Sequence, residues 1–464
     1  CESQLKMSSL LAAAKGAAEE FCAAPESAMD TSEAALERVS VPYVSRSERF
    51  AATGKLYGQY FQLYFARLSL LAPRVREAVA AKWPDVPLCK ILALQEGVEC
   101  AVVGTTFKEM RLKPSIMDEY AKDRGVERTI GSKFVDTSSD SLVLEDEGAR
   151  MKIKGEALPV GLLVSGVVLA VRGRAEHGEF TVTDVCYAQS GPQRPLGEAG
   201  GGDAYVALVS GMKLGEGCDP LRASLLADYL TGHLGSSGEQ ALAARVARLV
   251  VAGDTMAPVT APSGSVGSKE QRKLGLPLKE ADIFLTQLAA ALPVDVMPGA
   301  SDPANVALPQ QPLHSCLFPE ASRYTTFSSI SNPCLFDAAG VEFLGTSGQN
   351  IEDLFRCTTS EDRLDLMEST VRWGHLAPSA PDTLACYPFH DKDPFIIESR
   401  PHVCFSGNAP EYGSRLLEGE DGSRTRLVLV PEFASTGVAV LVNLRTLECH
   451  PISFDTAGLE PKEA

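Results

Sequence analysis

The chain has 464 residues, and its 60 acidic and 43 basic side chains give a formal charge of −17 at neutral pH. A hydrophobic fraction of 45% and a charged fraction of 22% are typical of soluble globular proteins, and a chain of this length is usually divided into two or three domains. The negative charge disfavours tight, autonomous binding of nucleic acid because phosphates are bound by cationic surfaces, and no apolar run approaches the ~20 residues that a membrane helix needs.

The first part of the chain is predicted to be helical. Residues 1–44 are rich in Ala, Ser and Glu, with a helical tendency from Leu5 to Phe21, and we interpret them as an N-terminal segment. In the next segment, Phe50 to Leu71, large apolar side chains recur at helical spacing: Tyr57, Tyr60, Phe61, Tyr64, Phe65 and Leu68. Such an aromatic stripe is usually a core face, so we expect it to dock this helix onto the next domain.

Residues 98–189 have the pattern of short β-strands. The first strand is predicted at Val98 to Phe107. Leu142 to Gly155 is predicted to form a hairpin that turns around Glu147-Gly148. Two further strands, Leu162 to Arg172 and Phe180 to Ala188, are separated by a turn at 176–179. Several short strands in succession predict a small barrel of the OB type, so residues 45–190 are expected to form a domain of the aromatic helix and this barrel. Few stacking aromatics and balanced charges favour a structural or protein-binding barrel over one that binds single-stranded nucleic acid.

A linker and a second domain follow the barrel. Residues 191–203 (GPQRPLGEAGGGD) have the composition of a linker. Beyond them, predicted helices at Leu221 to Leu234 and Lys279 to Leu292 alternate with predicted strands at 205–210, 247–252, 294–297, 341–345, 403–406, 427–431 and 438–444. We therefore predict a mixed α+β chain, an OB-type β-barrel followed by a layered α/β domain over residues 204–456, with a mobile loop at about 256–276 and a tail at 457–464.

The cysteines indicate a reducing compartment. All twelve stand singly, and no Cys-x-x-Cys pair occurs. A zinc site needs clustered ligands and a secreted scaffold needs a denser framework, so reduced, buried thiols and a location in the cytosol or nucleus are expected.

One stretch, Tyr205 to Gly215 (YVALVSGMKLG), has a pattern that indicates chemistry. Its apolar run breaks at Ser210-Gly211, as a buried strand does at the sheet edge where catalytic groups collect. The stretch resembles the first motif of the calcineurin-like phosphoesterases, in which a strand delivers an Asp-x-His pair to two metal ions. Gly211 and Lys213 stand at the matching positions here. Glycine has no side chain to bind a metal, and an ammonium group repels one.

The remaining motifs of that family are degraded in the same way. The bridging aspartate of Gly-Asp is kept as Asp254, whereas Gly-Asn-His-Asp and Gly-His-x-His have lost their ligands at Ala300, Ser301, Asn408 and Pro410. His375 matches a further histidine motif only loosely. A two-metal site needs several oxygen and imidazole ligands, and at most two remain. The resemblance therefore implies a fold that was kept without its reaction, and no catalytic residue, metal or cofactor is predicted.

Longer stretches resemble the B-subunit family of replicative DNA polymerases, and within it the delta-type small subunits. They are VDVMPG at 294–299, DPAN at 302–305, LPQQPLH at 308–314, FLGTSGQN at 343–350, APSAPDTL at 377–384 and CYPF at 386–389. The resemblance spans roughly residues 45–455, and it implies an OB domain joined to an inactive phosphodiesterase-like domain.

The same resemblance implies a non-catalytic scaffold subunit in the nucleus. Its partners would be the catalytic subunit of DNA polymerase delta, bound through a cysteine-rich C-terminal domain, and a further accessory subunit, with the sliding clamp and DNA reached indirectly and no membrane contact. The subunit would also be shared with polymerase zeta, and its acidic surface would complement basic partners. No partner-binding residue is assigned. Two alternatives stay open, an active phosphodiesterase or 3′-exonuclease like the archaeal relatives that keep their ligands, and the equivalent small subunit of polymerase alpha or epsilon.

Overall fold

A computed structural model of the chain provides the fold. It describes residues 37–53, 58–114, 131–197, 202–215, 218–258, 275–419 and 421–455. The helical tendency predicted for residues 5–21, Tyr57 of the aromatic stripe, most of the loop predicted at about 256–276, and the tail at 457–464 lie outside these ranges.

Five strands close into the predicted barrel. They are β3 (Glu99–Glu109), β4 (Ser141–Glu145), β5 (Arg150–Lys154), β6 (Val168–Glu176) and β7 (Glu179–Tyr187), and the short β2 (Leu88–Cys89) adds to β3. The order is β3-β4-β5-β7-β6, and β3 also pairs with β6, so the sheet has no free edge between its first and last strands. Both predicted turns, around residues 147–148 and at 177–178, connect neighbouring strands. The prediction of an OB-type barrel is confirmed.

Helix α1 (Phe61–Lys82) begins eleven residues later than the predicted aromatic helix. It docks as expected, but through Leu63, Leu71 and Val75, which are fully buried. Leu68 of the predicted stripe is buried against the barrel, but the prediction that the aromatic residues form the docking face is wrong, because Phe61 and Phe65 remain 56% and 53% exposed. The barrel wall under the helix carries small side chains such as Ala101 and Ala170, so the helix approaches closely and uses its aliphatic face.

The second domain is built on two six-stranded sheets. Its strands are β8 (Tyr205–Val209), β9 (Val246–Ala252), β10 (Val294–Met297), β11 (Phe327–Ser329), β12 (Cys334–Ala338), β13 (Val341–Thr346), β14 (Val403–Ala409), β15 (Gly413–Glu418), β16 (Arg424–Pro431), β17 (Val438–Asn443) and β18 (Cys449–Ser453). One sheet has the order β11-β10-β9-β8-β17-β18, and the other has β12-β13-β14-β16-β15 with an N-terminal strand, β1 (Tyr43–Ser45), at its edge. The layered α/β character is as predicted, and the strands are divided between two sheets.

The sheets pack face to face, and helices cover their outer faces. In β8, Val206 and Leu208 face the core between the sheets, whereas Ala207 and Val209 face outward under the helices. The helices are α2 (Pro220–Thr231), α3 (Ser237–Ala243), α4 (Leu276–Ala289), α5 (Gln349–Cys357), α6 (Arg363–Trp373) and α7 (Phe433–Thr436). Helices α2 and α4 were predicted one to three residues too late, and α5 and α6 were not predicted. Among the residues described, no helix is long and apolar enough to cross a membrane.

Residues just before the barrel belong by contact to the second domain. Tyr43–Ser45 pairs antiparallel with β12, and the Arg38 guanidinium donates hydrogen bonds to the carbonyls of Ala243, Val246 and Leu230. The sequence analysis placed the boundary between the N-terminal segment and the barrel domain at residues 44 and 45. The structure instead holds residues 38–45 against the second domain.

The first half of the predicted linker is also held in place. The side-chain amide of Gln193 donates to the carbonyls of Pro401 and Arg424 and accepts from the Arg424 N–H. The composition of residues 191–203 predicted a linker. The structure adds that Gln193 attaches its first half to the second domain by hydrogen bonds to the backbone of two segments.

A buried cation joins helix α1 to both domains. The Arg67 side chain is fully buried, and its Nε donates to Asp393 Oδ2 at 2.7 Å. Its two terminal nitrogens donate to the carbonyls of Gly166 in the barrel and of Pro378 and Ala380 in the second domain. His375 Nε2 lies 2.9 Å from the same Asp393 oxygen, and its Nδ1 accepts the Ala377 N–H.

The histidine in this cluster is neutral. Burial lowers the pKa of His375 to about 4, against the opposing effect of Asp393. Burial raises the pKa of Asp393, but His375 and Arg67 outweigh it and hold that pKa well below its usual range. Because Nδ1 of His375 accepts a backbone N–H, Nε2 carries the proton and donates to Asp393. Arg67 therefore supplies the charge that balances this carboxylate.

We predict that Arg67→Met lowers the free energy of unfolding by about 3–5 kcal/mol, because it leaves Asp393 buried without its cation. Urea unfolding of the full chain measures this change. Arg76→Met is the matched control, since Arg76 is an exposed residue of the same helix, and we expect it to change stability by less than about 0.5 kcal/mol. Equal stabilities of the two variants would contradict the role given to Arg67.

Candidate functional site

The loops that follow five strands meet at one edge of the two sheets. β8, β9 and β10 run parallel in one sheet, and β13 and β14 run parallel in the other. Their ends bring the positions of the phosphoesterase-like motifs together. The Gly211 N–H donates to Gly253 O at 2.9 Å, the Lys213 N–H donates to Asp254 O at 3.0 Å, and the Asn408 N–H donates to Ser210 Oγ at 2.9 Å.

The backbone of this cleft is left-handed at three of the predicted positions. Lys213, Asp254 and Asn408 have φ angles of +47°, +52° and +53°. Side chains other than glycine rarely adopt such angles, which cost of order 1 kcal/mol or more and persist where the surroundings impose them. The cleft therefore keeps a conformation that the local sequence disfavours.

Two glycines allow the strand ends to approach. Gly253 has φ +86°, and a Cβ added there would lie 2.4 Å from Ser347 Cβ. Gly211 has φ +58°, and a Cβ there would lie 2.6 Å from Asn408 Oδ1. Any side chain at either position would push the two sheet edges apart.

An ion pair occupies the first motif. Lys213 Nζ lies 2.6 Å from Glu432 Oε2, and each side chain is 29% exposed. Glu432 follows β16, so this contact ties the end of one sheet to the end of the other. The ammonium group brings positive charge to the stretch that resembles the first, metal-binding motif of the calcineurin-like phosphoesterases.

The two remaining carboxylates are engaged by hydrogen bonds. Asp254 Oδ1 accepts from the Ser301 N–H at 2.8 Å and from Ser301 Oγ at 2.9 Å. Asp302 accepts three backbone N–H groups, those of Thr255, Met256 and Gly299. Burial raises the pKa of Asp302 to about 6, with the nearby Asp254 acting in the same direction and the backbone N–H groups opposing it.

A network of neutral amides and hydroxyls fills the space beside these residues. Asn332 Nδ2 donates to Gln310 Oε1 at 2.8 Å and to Ser347 Oγ at 2.7 Å, and Gln349 Nε2 donates to Gln310 Oε1 at 2.9 Å. Asn408 Nδ2 donates to Ser347 O at 2.8 Å, which joins the last predicted motif to the network. Asn408 Oδ1 is buried and has no hydrogen-bond partner within the described ranges, whereas the other neutral groups named here bond one another and so rigidify the site.

The donor set does not fit two divalent ions. No group of three or more His, Cys, Asp or Glu side chains suited to a metal occurs in the part of the chain that the structure describes. Ala300 and Pro410 are exposed and carry no ligand atom. His375 belongs to the Arg67 cluster, where Asp393 and the Ala377 N–H take both ring nitrogens. Asp254 with one engaged oxygen is too little to hold a metal pair.

The structure thus brings Gly211, Lys213, Asp254, Ser301 and Asn408 together and leaves Ala300 and Pro410 at the rim. Sequence reasoning missed the residues that surround these positions and bond one another or Lys213: Gln310, Asn332, Ser347, Gln349 and Glu432. Three of them lie in stretches quoted above for their resemblance to the polymerase family, Gln310 in LPQQPLH and Ser347 and Gln349 in FLGTSGQN. Amides and hydroxyls have no characteristic spacing, so resemblance was the available guide to them.

Comparison with known proteins identifies relatives over nearly the whole chain. Residues 206–414 match the family of the B subunits of DNA polymerases alpha and epsilon, and residues 59–185 match the OB-fold domain of the DNA polymerase delta subunit. The chain is 48% identical over 429 residues to the DNA polymerase delta small subunit of Arabidopsis thaliana, covering 90% of this chain and 97% of that protein. It is 37% identical over 437 residues to DNA polymerase delta subunit 2 of Drosophila melanogaster, covering 90% and 98%. It is 31% identical over 447 residues to the DNA polymerase delta small subunit of Saccharomyces cerevisiae, covering 86% and 90%.

Asp302 predicts a pH dependence of stability. Between about pH 4, the ordinary pKa of an aspartic acid, and pH 6, this group is protonated in the folded chain and ionised in the unfolded chain. The protonated Asp302 therefore stabilises the folded chain fully below pH 4. As the pH rises from 4 to 6 this stabilisation is lost, and the free energy of unfolding falls by about 2–3 kcal/mol.

Urea unfolding of the wild type and of Asp302→Asn across this window measures the contribution. The variant should show a flatter dependence on pH, whereas Asp391→Asn, which changes an exposed carboxylate, should keep the wild-type slope. Parallel slopes for Asp302→Asn and the wild type would refute the assignment.

Proposed function

The chain belongs to the family of DNA polymerase delta small subunits, and on that premise we propose that it is a non-catalytic scaffold subunit of this polymerase. It is an accessory subunit that acts in DNA replication and repair. We infer that it works in the nucleus, where this polymerase copies chromosomal DNA, and that it has no active site of its own.

The observation that carries this proposal is the extent of the similarity. Identities of 48%, 37% and 31% extend through both domains and over at least 90% of each of the three relatives' lengths. A shared domain alone would indicate only a fold. Here the similarity covers the barrel, the helix that joins the domains and the cleft. It therefore supports, for the whole chain, the role that the relatives' names state.

The chemistry of the cleft supports a structural role. Asp254 and Asp302 accept hydrogen bonds from this chain's own backbone or hydroxyl groups, and Lys213 is paired with Glu432. These contacts hold the strand ends in position, as a metal pair would otherwise do. A rigid fold whose cleft is closed by its own side chains offers its outer surface for docking.

We infer that the subunit joins the catalytic subunit, through a cysteine-rich C-terminal domain, to a further accessory subunit. Contact with the sliding clamp and with DNA would be indirect, and the same surface would serve polymerase zeta. The formal charge of −17 supports protein partners with basic faces, because opposite charges speed encounter and select the partner.

Native purification tests this assignment. The tagged full chain, recovered from nuclear extract at physiological salt, should carry the delta catalytic subunit and one further accessory subunit at equal stoichiometry, as measured by quantitative mass spectrometry. Recovery of only the alpha or epsilon catalytic subunit would assign the chain to a different polymerase, and a chain recovered alone would remove the scaffold role.

Hydrolysis tests the loss of the reaction. We expect the purified chain with Mn²⁺ to cleave bis(p-nitrophenyl) phosphate no faster than its Asp254→Ala variant, because Lys213 and Ser301 have replaced metal ligands. Calorimetric titration should likewise show fewer than two Mn²⁺ ions bound per chain. Turnover that Asp254→Ala abolishes would establish the alternative, an active phosphodiesterase.

A further inference from the structure

Helix α1 has an aromatic face that the fold does not use. Its opposite face packs through Leu63, Arg67 and Leu71, which are fully buried. Phe61 and Phe65 remain more than half exposed, and their rings contact each other edge to face with centroids 6.0 Å apart. Contiguous exposed aromatics on a soluble protein usually mark a binding surface.

This face forms one wall of a groove between the two domains. Thr105 to Phe107 of strand β3 form another side, and the β4–β5 hairpin contributes Glu145 and Arg150. Pro381 and Asp382 of the second domain close one end. The groove has a volume of about 490 Å³, which accommodates a few large side chains but no folded domain.

The rim of the groove is acidic. Three carboxylates line it, those of Glu145, Asp146 and Asp382, against the single guanidinium of Arg150. Asp382 pairs with Lys113 at 2.6 Å, and Asp146 accepts backbone N–H groups of its own turn. Glu145 and Arg150, although opposite each other in the strand register, form no ion pair or side-chain hydrogen bond with any residue that the structure describes. Among the residues described, Glu145 thus has no cation partner.

Tyr64 adds a hydrogen-bond donor to the groove. Its ring packs over the Arg67 guanidinium at 5.3 Å, and its hydroxyl has no hydrogen-bond partner within the described ranges. Burial raises the pKa of Tyr64, so the phenol keeps its proton at physiological pH. A neutral phenol at the edge of an apolar groove can donate to a carbonyl of an incoming chain.

We propose that this groove is the docking site for an amphipathic helix of a partner subunit, which places apolar side chains against Phe61, Phe65 and Phe107 and a Lys or Arg beside Glu145. The proposal rests on the proposed function, since the occupant belongs to the polymerase complex. An amphipathic helix suits the groove because a few apolar anchors at helical spacing fill such a volume while its polar face stays in solvent.

Charge disfavours the two other occupants. Single-stranded nucleic acid would stack on the aromatics, but its phosphates would meet Glu145, Asp146 and Asp382. A second copy of this chain would bring another −17 charge and the same acidic rim. Both remain outcomes that the experiment distinguishes.

The test uses the full chain in the assembled complex. The double variant Phe61→Ser with Phe65→Ser should bind one partner subunit about a hundredfold more weakly, as expected for the loss of two aromatic anchors, and should keep the other partner. The matched control is Leu276→Ser with Ile283→Ser, which removes two exposed apolar residues from one face of helix α4. It should bind both partners with wild-type affinity, and both double variants should keep the wild-type melting temperature.

The charge and the occupant are tested separately. Glu145→Lys should weaken the same partner about tenfold, and exchanging the partner's contacting Lys or Arg for Glu should restore binding. Phe65 replaced by the photo-crosslinker p-benzoylphenylalanine should crosslink to a basic, amphipathic helical segment of that subunit.

Any one of four other outcomes would overturn the groove proposal. These outcomes are crosslinking to an added oligonucleotide, crosslinking to a second copy of this chain, equal weakening by both double variants, and no weakening by Phe61→Ser with Phe65→Ser. If the wild-type chain itself assembles with no polymerase subunit, the proposed function fails instead, and that result is seen before any variant is compared.

Discussion

The buried guanidinium of Arg67 is the constraint on which the relation between the two domains depends. A cation in an apolar interior must have its charge balanced and its N–H groups bonded, and here those partners come from both domains. Contacts with His375 and Arg67 hold the pKa of Asp393 well below its usual range, so Asp393 supplies the balancing charge. Helix α1 therefore holds the barrel and the sheet domain in one fixed arrangement, as a subunit that positions other proteins requires.

The cleft of the second domain follows the same principle with neutral groups. The left-handed backbone at Lys213, Asp254 and Asn408 is stabilised by an ion pair, by a serine and by an amide hydrogen bond. The glycines at 211 and 253 keep the strand ends close, so the two sheets stay locked at this edge. Side-chain contacts within this chain can therefore hold the backbone of the cleft in a conformation that the local sequence disfavours.

Helix α1 connects the internal structure to an external surface. Its aliphatic face and Arg67 hold the two domains in a fixed relative position. The groove in which Phe61 and Phe65 are exposed lies between the domains held in this way. The two faces are consequently coupled, because a shift of the helix would break the Arg67 contacts and would also deform the groove. A rigid junction that carries an apolar, acid-rimmed surface is a suitable base for assembling a larger complex.

The sequence by itself determined the family, the OB barrel, most strands of the layered domain and the absence of an intact metal motif. These features depend on local apolar alternation and on residue types at fixed spacing, which are read directly along the chain. The sequence did not determine which face of α1 is buried, since the aromatic stripe at Phe61 and Phe65 and the aliphatic stripe at Leu63 and Leu71 have the same period. Helices α5 and α6, the pairing of residues 43–45 with β12, and the amide network around Asn332 were decided by tertiary structure alone, because each depends on partners that lie far away in the chain and meet only once the sheets have packed.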